Sequence, residues 1–421
     1  MGGLGAQEGF PSRDFTRFWW GESVSSFGTY VTLLALQTIV VLTLDGTAQD
    51  VGWLSSARWL PYLLLGLVVG ALVDRWRRRP VMVATDLVRA ALLVSIPLAW
   101  AADVLSMPLL LVVVALYGAA SLVNDAASQS FLPRLVPRQH LQPAHARIDG
   151  ADAVAQAAGP ALAGAMVKLL GAPVAVLVDA ATYVFSAVAV LTLRVEEPAG
   201  VPSETPNIRR EIGEGVRWVY RGSGLARLAT ATHVWFAANA VIGAVLAPYA
   251  LLTLDLNPFQ FGIATALGGV GALAGAVTSG AGGRLLGTGM AIISAHVVST
   301  VGVVLMVLAG LGSTGWVAVA VLGAGLAAHG FGMGFSNSHE MSYRQILTPD
   351  ELQARTNTTM RSFNRAVVVV VAPLGGLLAD QTSNRTALVV AAVVFALAAA
   401  MLVASPFRRV RQDLSDRRPA S

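Results

Sequence analysis

Twelve stretches of apolar sequence, each closed by a short polar break, leave this 421-residue chain few ways to fold. A run of roughly 20 apolar residues matches the hydrocarbon thickness of a bilayer. Inside lipid every backbone polar group must be satisfied within its own segment, which selects helices. In the first half the runs are Phe18 to Leu44, Val51 to Val73, Val81 to Ala101, Pro108 to Phe131, Ala151 to Leu170 and Pro173 to Leu193. In the second they are Leu225 to Leu254, Phe259 to Ala281, Thr288 to Leu311, Trp316 to Phe335, Ser362 to Ala379 and Thr386 to Ser405. Only 13% of residues are charged, about half the usual globular share. The first run exceeds a signal-peptide core of about 7 to 15 residues and no cleavage site follows it, so it is expected to remain as the first span.

The breaks alternate in charge. Arg13 and Arg17, the cluster Arg75 to Arg79, the group Arg134, Arg138 and Arg147, the segment Arg194 to Arg227, Arg284, Arg344 to Arg361, and the tail from Arg408 occupy one set. The other set, residues 45–50, 102–107, 254–258 and 312–315, carries no arginine or lysine, and only Lys168 and Arg385 lie near it. Arginine-rich short loops stay on the inner side, so both termini are expected to be cytoplasmic in a multi-pass protein of the inner or plasma membrane. The net charge of +5 then reflects cytoplasmic loops and not a nucleic-acid partner.

Between Val195 and Arg221 the apolar pattern stops. Pro198, Pro202 and Pro206 precede a charged segment, Asn207 to Tyr220, that reads as an amphipathic helix on the inner membrane surface. This gives a six-helix half over 1–194, a linker over 195–224, a second six-helix half over 225–405 and a basic tail over 406–421. The halves repeat one another. Ser128-Gln129-Ser130, Arg134, Pro137 and Leu141-Gln142 return as Ser336-Asn337-Ser338, Arg344, Pro349 and Leu352-Gln353. Gly159-Pro160 with Gly164 returns as Ala372-Pro373 with Gly376. An offset of half the chain is the mark of a duplicated transporter fold.

With twelve spans, the duplication, and Gly70, Leu72, Asp74, Arg75, Arg78 and Arg79 between spans two and three, the chain resembles the major facilitator superfamily, although Arg77 stands where glycine is usual. The resemblance implies an all-α membrane protein whose two pseudo-symmetric six-helix halves rock about a cavity lined by spans one, four, seven and ten. It also implies that Gly70, Asp74, Arg75, Arg78 and Arg79 form a conformational latch. Trp20 to Gly28, Ala119 to Pro137, Val178 to Ala180 and Arg344 to Gly376 look like the drug-proton antiporter branch that includes macrolide and enterobactin exporters. Gly159, Pro160 and Gly164 match the span-five motif of antiporters, with alanine at 155 and 163. Span four lacks the membrane arginine of many drug-proton antiporters.

A charge inside a bilayer is costly and asks for a reason. Glu22, Ser26, Thr29 and Gln37 fall at helical steps on span one, and Tyr117, Ser121, Asn124 and Ser128 do so on span four, with Asp125 beside them. Glu22, Asp125 and Asp179 are the candidate proton carriers. Each has a structural alternative: Glu22 as a snorkelling or hydrogen-bonded acid, Asp125 as a partner of the arginines after Pro133, Asp179 as a lock between helices. Arg58 is expected to pair with an acid, and Asp86 and Arg89, one helical turn apart, to satisfy each other or the inner headgroups. Trp235, Phe236, Asn239 and Tyr249 are candidate cavity walls of the second half, and His233, His296 and His329 are read as satisfied core histidines.

Other chemistries have little support. There is no cysteine, no metal-ligand spacing and no nucleophile motif, so neither a metal nor another cofactor is expected and the chain is not read as an enzyme. The only lysine, Lys168, lies outside any P-loop signature, which removes ATP as the energy source. The sequence therefore reads as a secondary active transporter, a monomer in the bilayer. It would export amphipathic or hydrophobic small molecules, drug- or siderophore-like, in exchange for protons. A facilitator or importer of the same fold, or a non-transporting receptor or lipid-handling protein, are the alternatives.

Overall fold

The computed structural model describes residues 10–73, 75–195, 208–312 and 314–410. Among them there is no strand. The helices are α1 (Arg13–Thr38), α2 (Ala48–Val73), α3 (Arg78–Ala101), α4 (Met107–Leu135), α5 (Leu141–Leu170), α6 (Ala172–Leu191), α7 (Ile208–Arg217), α8 (Ala226–Pro248), α9 (Pro258–Leu286), α10 (Thr288–Ala309), α11 (Gly315–Leu347), α12 (Asp350–Gln381) and α13 (Asn384–Val403). Eleven are long and apolar enough to cross a membrane. The 26-residue α2 makes the twelfth, and α7 is the short amphipathic helix ahead of the second half.

Several helices outrun their apolar stretch at the arginine-bearing end. The fourth continues to Leu135, the fifth begins at Leu141, the tenth span reaches Leu347 and the eleventh begins at Asp350. A helix needs apolar side chains only where lipid surrounds it, so these turns stand in polar surroundings where hydropathy carries no signal. Their starts are capped locally. The Ser12 hydroxyl accepts from Phe15 N at 3.1 Å. Asn257 and Gln260 form a reciprocal capping box around Pro258, with bonds of 3.1 and 3.0 Å.

The duplication extends to the backbone. Leu42-Thr43-Leu44-Asp45 recurs as Leu252-Thr253-Leu254-Asp255, and both copies end their helix in a π-helical turn, Ile39–Thr43 and Tyr249–Thr253. Leu44 N bonds Ile39 O and Leu254 N bonds Tyr249 O, each at 2.9 Å. Asp45 (φ 49°) and Asp255 (φ 51°) then take the left-handed conformation that Asp tolerates better than most residues.

The chain forms two compact units, one of Met1–Gly46 with Ala57–Pro206, the other of Thr47–Ser56 with Asn207–Ser421. In the first, α1 packs on α5 and α6, and α3 on α4 and α6. In the second, α11 packs on α9 and α10, while α8 and α10 pack on α13 and α8 also on α12. The opening turns of α2 belong to the second unit because Asp380 of α12 accepts from Ala48 N and Gln49 N, both at 3.1 Å. Ser56 Oγ also donates to Val369 O at 2.7 Å.

Packing differs between the units. At Gly330 a methyl would run into the backbone of Gly268 and Ala272, so α11 and α9 touch main chain to main chain. In the first unit, Gly28 of α1 faces Asp179 and Thr182, and the missing side chain is what lets a carboxylate sit between α1 and α6.

Candidate functional site

A cavity of about 270 Å³ opens within the first unit, with α1, α2, α3, α4, α5 and α6 all contributing to its wall. Its lining includes Glu22, Ser26, Thr29, Arg58, Arg89, Asn124, Asp125 and Asp152. Glu22, Ser26 and Thr29 of span one and Asn124 and Asp125 of span four thus line one cavity. Gln37 and Tyr117 share the stripes but not this wall. Gln37 is half-buried one residue before the last residue of α1, and Tyr117 is buried with its hydroxyl 2.6 Å from that of Tyr183.

Hydroxyls hold two of the cavity acids. Glu22 Oε1 accepts from Ser128 Oγ at 3.3 Å, and Asp125 Oδ2 accepts from the Tyr62 hydroxyl at 2.7 Å. Asp152 faces Ser26 and Tyr30. None of these three carboxylates pairs with a described arginine, so the expected tie between Asp125 and the arginines after Pro133 is absent. Arg58 likewise forms no ion pair with a described acid and lies over the Trp59 ring at 5.4 Å.

Arg89 and Asp86 are bonded to each other and buried. Asn124 Nδ2 also donates to Asp86 Oδ1 at 3.2 Å and to Thr85 Oγ1 at 2.8 Å. The Arg89 guanidinium lies 4.1 Å from the centre of the Tyr183 ring, a cation-π contact inside the helix bundle. The two groups bond each other, yet Asp86 Oδ2 and Arg89 Nε are buried without a hydrogen-bond partner, and Arg89 also lines the cavity. Asp179 is fully buried, with Oδ1 accepting from Thr182 Oγ1 at 3.0 Å.

In the second unit Trp235 and Asn239 meet His329, and Phe236 lies edge-on to the Trp235 ring. Trp235 stacks on His329 with ring centroids 5.9 Å apart, Phe395 meets both edge-on, and His329 Nε2 lies 3.0 Å from Asn239 Oδ1. Tyr249, a candidate wall residue in the sequence, is instead buried in helix packing, its hydroxyl donating to Met306 O at 2.8 Å. His233 bridges the Tyr220 hydroxyl and Asn364 Oδ1 at 2.6 and 2.7 Å.

Of the latch candidates, Asp74 and the surroundings of Gly70 lie outside the described residues. Arg75 is exposed, Arg78 is buried with Nη1 donating to Trp76 O at 3.2 Å, and Arg79 donates to Val190 O at 3.1 Å and to Leu191 O. Arg79 thereby closes the last carbonyls of α6, where the helix dipole favours a cation. Gly159 lies against the Tyr30 side chain, Pro160 sits within α5, and Gly164 is buried. No group of three or more described His, Asp or Glu residues is placed to hold a metal ion.

A family model for the Major Facilitator Superfamily matches residues 18–367. The chain belongs to the Major Facilitator Superfamily. It is a multi-pass membrane protein of a family of transporters. Among curated relatives, macrolide efflux protein A of Streptococcus pyogenes is 26% identical over 220 residues, 51% of this chain and 53% of that protein. The multidrug efflux pump Tap of Mycobacterium tuberculosis is 30% identical over 207 residues, 47% of this chain and 48% of the pump. The chain thus spans about half the length of the curated relatives it matches. Among solved structures, a bacterial homologue of the iron transporter ferroportin in the inward-facing state superposes with a TM-score of 0.73 at 17% identity, covering 94% of this chain and 98% of that one. A POT family transporter in complex with a thioalcohol-conjugated peptide gives 0.75 at 12% identity, covering 94% and 97%. At these identities the two structures establish the facilitator fold alone.

Proposed function

We propose that this facilitator is a secondary active transporter that exports amphipathic or hydrophobic small molecules across the cytoplasmic membrane in exchange for protons. The observation that carries the reading is the cavity of the first unit, where Glu22 and Asp125 are held by hydroxyls and by no described arginine. Such acids can exchange a proton or a ligand cation without breaking an ion pair, and the cost of burying them falls when they are protonated. Efflux as the direction rests on likeness to the macrolide and multidrug pumps, and the aromatic group around Trp235 suits loosely specified apolar ligands.

The carrier works as a monomer with both termini in the cytoplasm, and its two halves, joined through 195–224, expose the cavity alternately. It binds and moves its substrate and does no covalent chemistry on it. A proton entering down 100 mV releases roughly 2.3 kcal/mol from the potential alone. A susceptibility panel in an efflux-deficient host, followed by flux in everted vesicles under an imposed pH gradient, tests the reading. Glu22→Gln, Asp125→Asn and Asp179→Asn are expected to keep normal membrane levels and lose pH-driven efflux. Unchanged efflux in all three would sink the proton-exchange mechanism, and uptake in place of efflux would favour the importer.

A further inference from the structure

Two guanidiniums stand in the cavity wall, and only one of them has an acid. Arg89 is bonded to Asp86. Arg58, half-buried on α2, makes no hydrogen bond or ion pair with a described residue. Its contact with the Trp59 ring leaves its five N–H donors unused. The backbone beneath it is set, because a methyl at Gly118 of α4 would run into the Arg58 carbonyl and the two helices touch at this residue. One turn on, Tyr62 shares that face of α2 and donates to Asp125 Oδ2 at 2.7 Å. The free guanidinium thus shares its cavity with three acids, Glu22, Asp125 and Asp152, that pair with no described cation.

We propose that this cavity binds a zwitterionic amphipath, its carboxylate on Arg58 and its ammonium on Glu22 and Asp125, an assignment that presupposes the proton exchange proposed above. Guanidinium and carboxylate are planar partners that form two parallel N–H···O bonds. An arginine inside the membrane with no acid beside it is costly, and a ligand carboxylate offsets that cost. The charged groups that face the ligand are Glu22 on α1, Arg58 on α2, Arg89 with its Asp86 on α3, Asp125 on α4 and Asp152 on α5. Asp179 on α6 feels the field of Arg58 but is fully buried outside the wall.

Linkage separates the possible ligand charges. A ligand cation on a carboxylate competes with the proton held there, so its binding expels the proton to solvent and a bound proton weakens it by the same factor. That is the relation an exchanger needs. A ligand anion on Arg58 is held more tightly when the neighbouring acids are neutral, so an anion alone binds together with protons and moves in the same direction as they do. A cation alone expels protons but leaves Arg58 unpaired and is repelled by it. A zwitterion meets both charges of the wall and still trades places with protons.

The test titrates the purified full-length protein in detergent at about pH 6, below the ordinary α-amino value of about 7.7. Phenylalanine, tryptophan and Nε-dansyl-lysine are each added as the free amino acid, the methyl ester and the Nα-acetyl derivative, which present one skeleton as zwitterion, cation and anion. For at least one skeleton the free form is expected to bind about tenfold or more tighter than the other two, with proton release seen by an indicator dye in weak buffer. Arg58→Gln should bring the free form down to the affinity of the ester without weakening the ester, and Arg58→Lys should keep part of the difference. Retained ester binding and melting temperature report an intact cavity, and the ligand series in the wild type decides even where Arg58→Gln does not accumulate. If ester and free form bind alike, if Arg58→Gln weakens both equally, or if none of the compounds binds, the zwitterion site is wrong, while pH-driven efflux in vesicles still supports proton exchange. If the acetyl derivative binds tightest and takes up protons, the ligand is an anion carried with protons, and the site and the exchange reading fall together.

Discussion

The two halves repeat in backbone and part in chemistry. The offset of 210 residues that lays Leu42-Thr43-Leu44-Asp45 on Leu252-Thr253-Leu254-Asp255 also lays Glu22 on Thr232, Thr29 on Asn239, Asp86 on His296 and Arg89 on Ser299. The offset of 212 that lays Pro137 on Pro349 puts Ala391 at the place of Asp179 and Phe395 at that of Tyr183. Glu22, Asp86, Arg89 and Asp179 of the first unit thus each have a neutral or weakly basic counterpart in the second. In exchange the second unit gains glycine contacts between α9 and α11 and the aromatic group around His329. Duplication preserved what the helices need in order to pack, and these four charges were kept in one copy only.

The sharpest way to break that contrast is to remove one charge from the first unit. Arg89→Gln leaves Asp86 buried without its partner, at a cost of about 3 to 5 kcal/mol. It is expected to lower membrane accumulation and thermal stability in detergent. The double variant Asp86→His with Arg89→Ser gives the first unit the second unit's residues and should recover most of the stability, since no lone charge remains. Failure to recover would mean that the pair orders the bundle in a way the His296 and Ser299 arrangement cannot replace.

A smaller effect on the protein but a clear one on transport is expected at the next corresponding pair. Glu22→Gln should reduce pH-driven efflux by about tenfold or more at normal membrane levels. Thr232→Val should leave the coupling to pH intact, although it removes the hydroxyl that donates to Glu340 at 3.2 Å. Equal losses in vesicle flux would show that both halves carry protons.

The apolar runs made the spans legible, and helical spacing put Glu22, Ser26 and Thr29 on one face of span one and Asn124 on one face of span four, with Asp125 beside it. Hydropathy does not report how a helix is rotated about its axis. Asp86 and Arg89 near the end of a run therefore read alike whether they meet headgroups or a cavity, and Asp152 passed unnoticed as one more polar residue near an end. Gln37 follows the stripe of Glu22 by spacing, but the chain turns π-helical at Ile39 and the cavity wall ends before it. Tyr183 carries no signal in an apolar run, since an aromatic ring there is ordinarily packing. The repeated Leu-Thr-Leu-Asp acquires its meaning from the backbone, where both copies place Asp at the position that turns left-handed after a π-turn.

The start of α2 tests which unit its opening turns serve. Asp380 accepts two backbone N–H groups there, where a helix start favours a carboxylate for both hydrogen bonds and dipole. Asp380→Ala is expected to weaken this end by about 1 kcal/mol, read as faster amide exchange at residues 48–52 with little change in global melting. Unchanged exchange would mean that Gly52, packed on Ala372 and Pro373, and Ser56 hold the segment without the carboxylate.

The smallest expected effect lies at α7, whose Glu214 bonds Arg210 at 2.7 Å and also pairs with Arg355 of α12. The hydrogen bond from Arg210 leads in holding the Glu214 carboxyl below its usual range, and Arg355 adds to it. A carboxylate whose folded pKa is depressed contributes when ionised. Its contribution is full above the ordinary glutamate value of about 4.3 and fades as pH falls below that value. Amide exchange at residues 210–222 should therefore rise relative to α12 as the medium is acidified through that range, and Glu214→Gln should show the faster exchange already at neutral pH and no acid step. Because the pair is exposed, global stability should hardly move. If the acid step persists in Glu214→Gln, another titrating group ties α7 down; if Glu214→Gln exchanges like the wild type at neutral pH, the helix is fastened chiefly by Gly215 lying on the Arg355 backbone, a packing contact of the kind seen between α9 and α11.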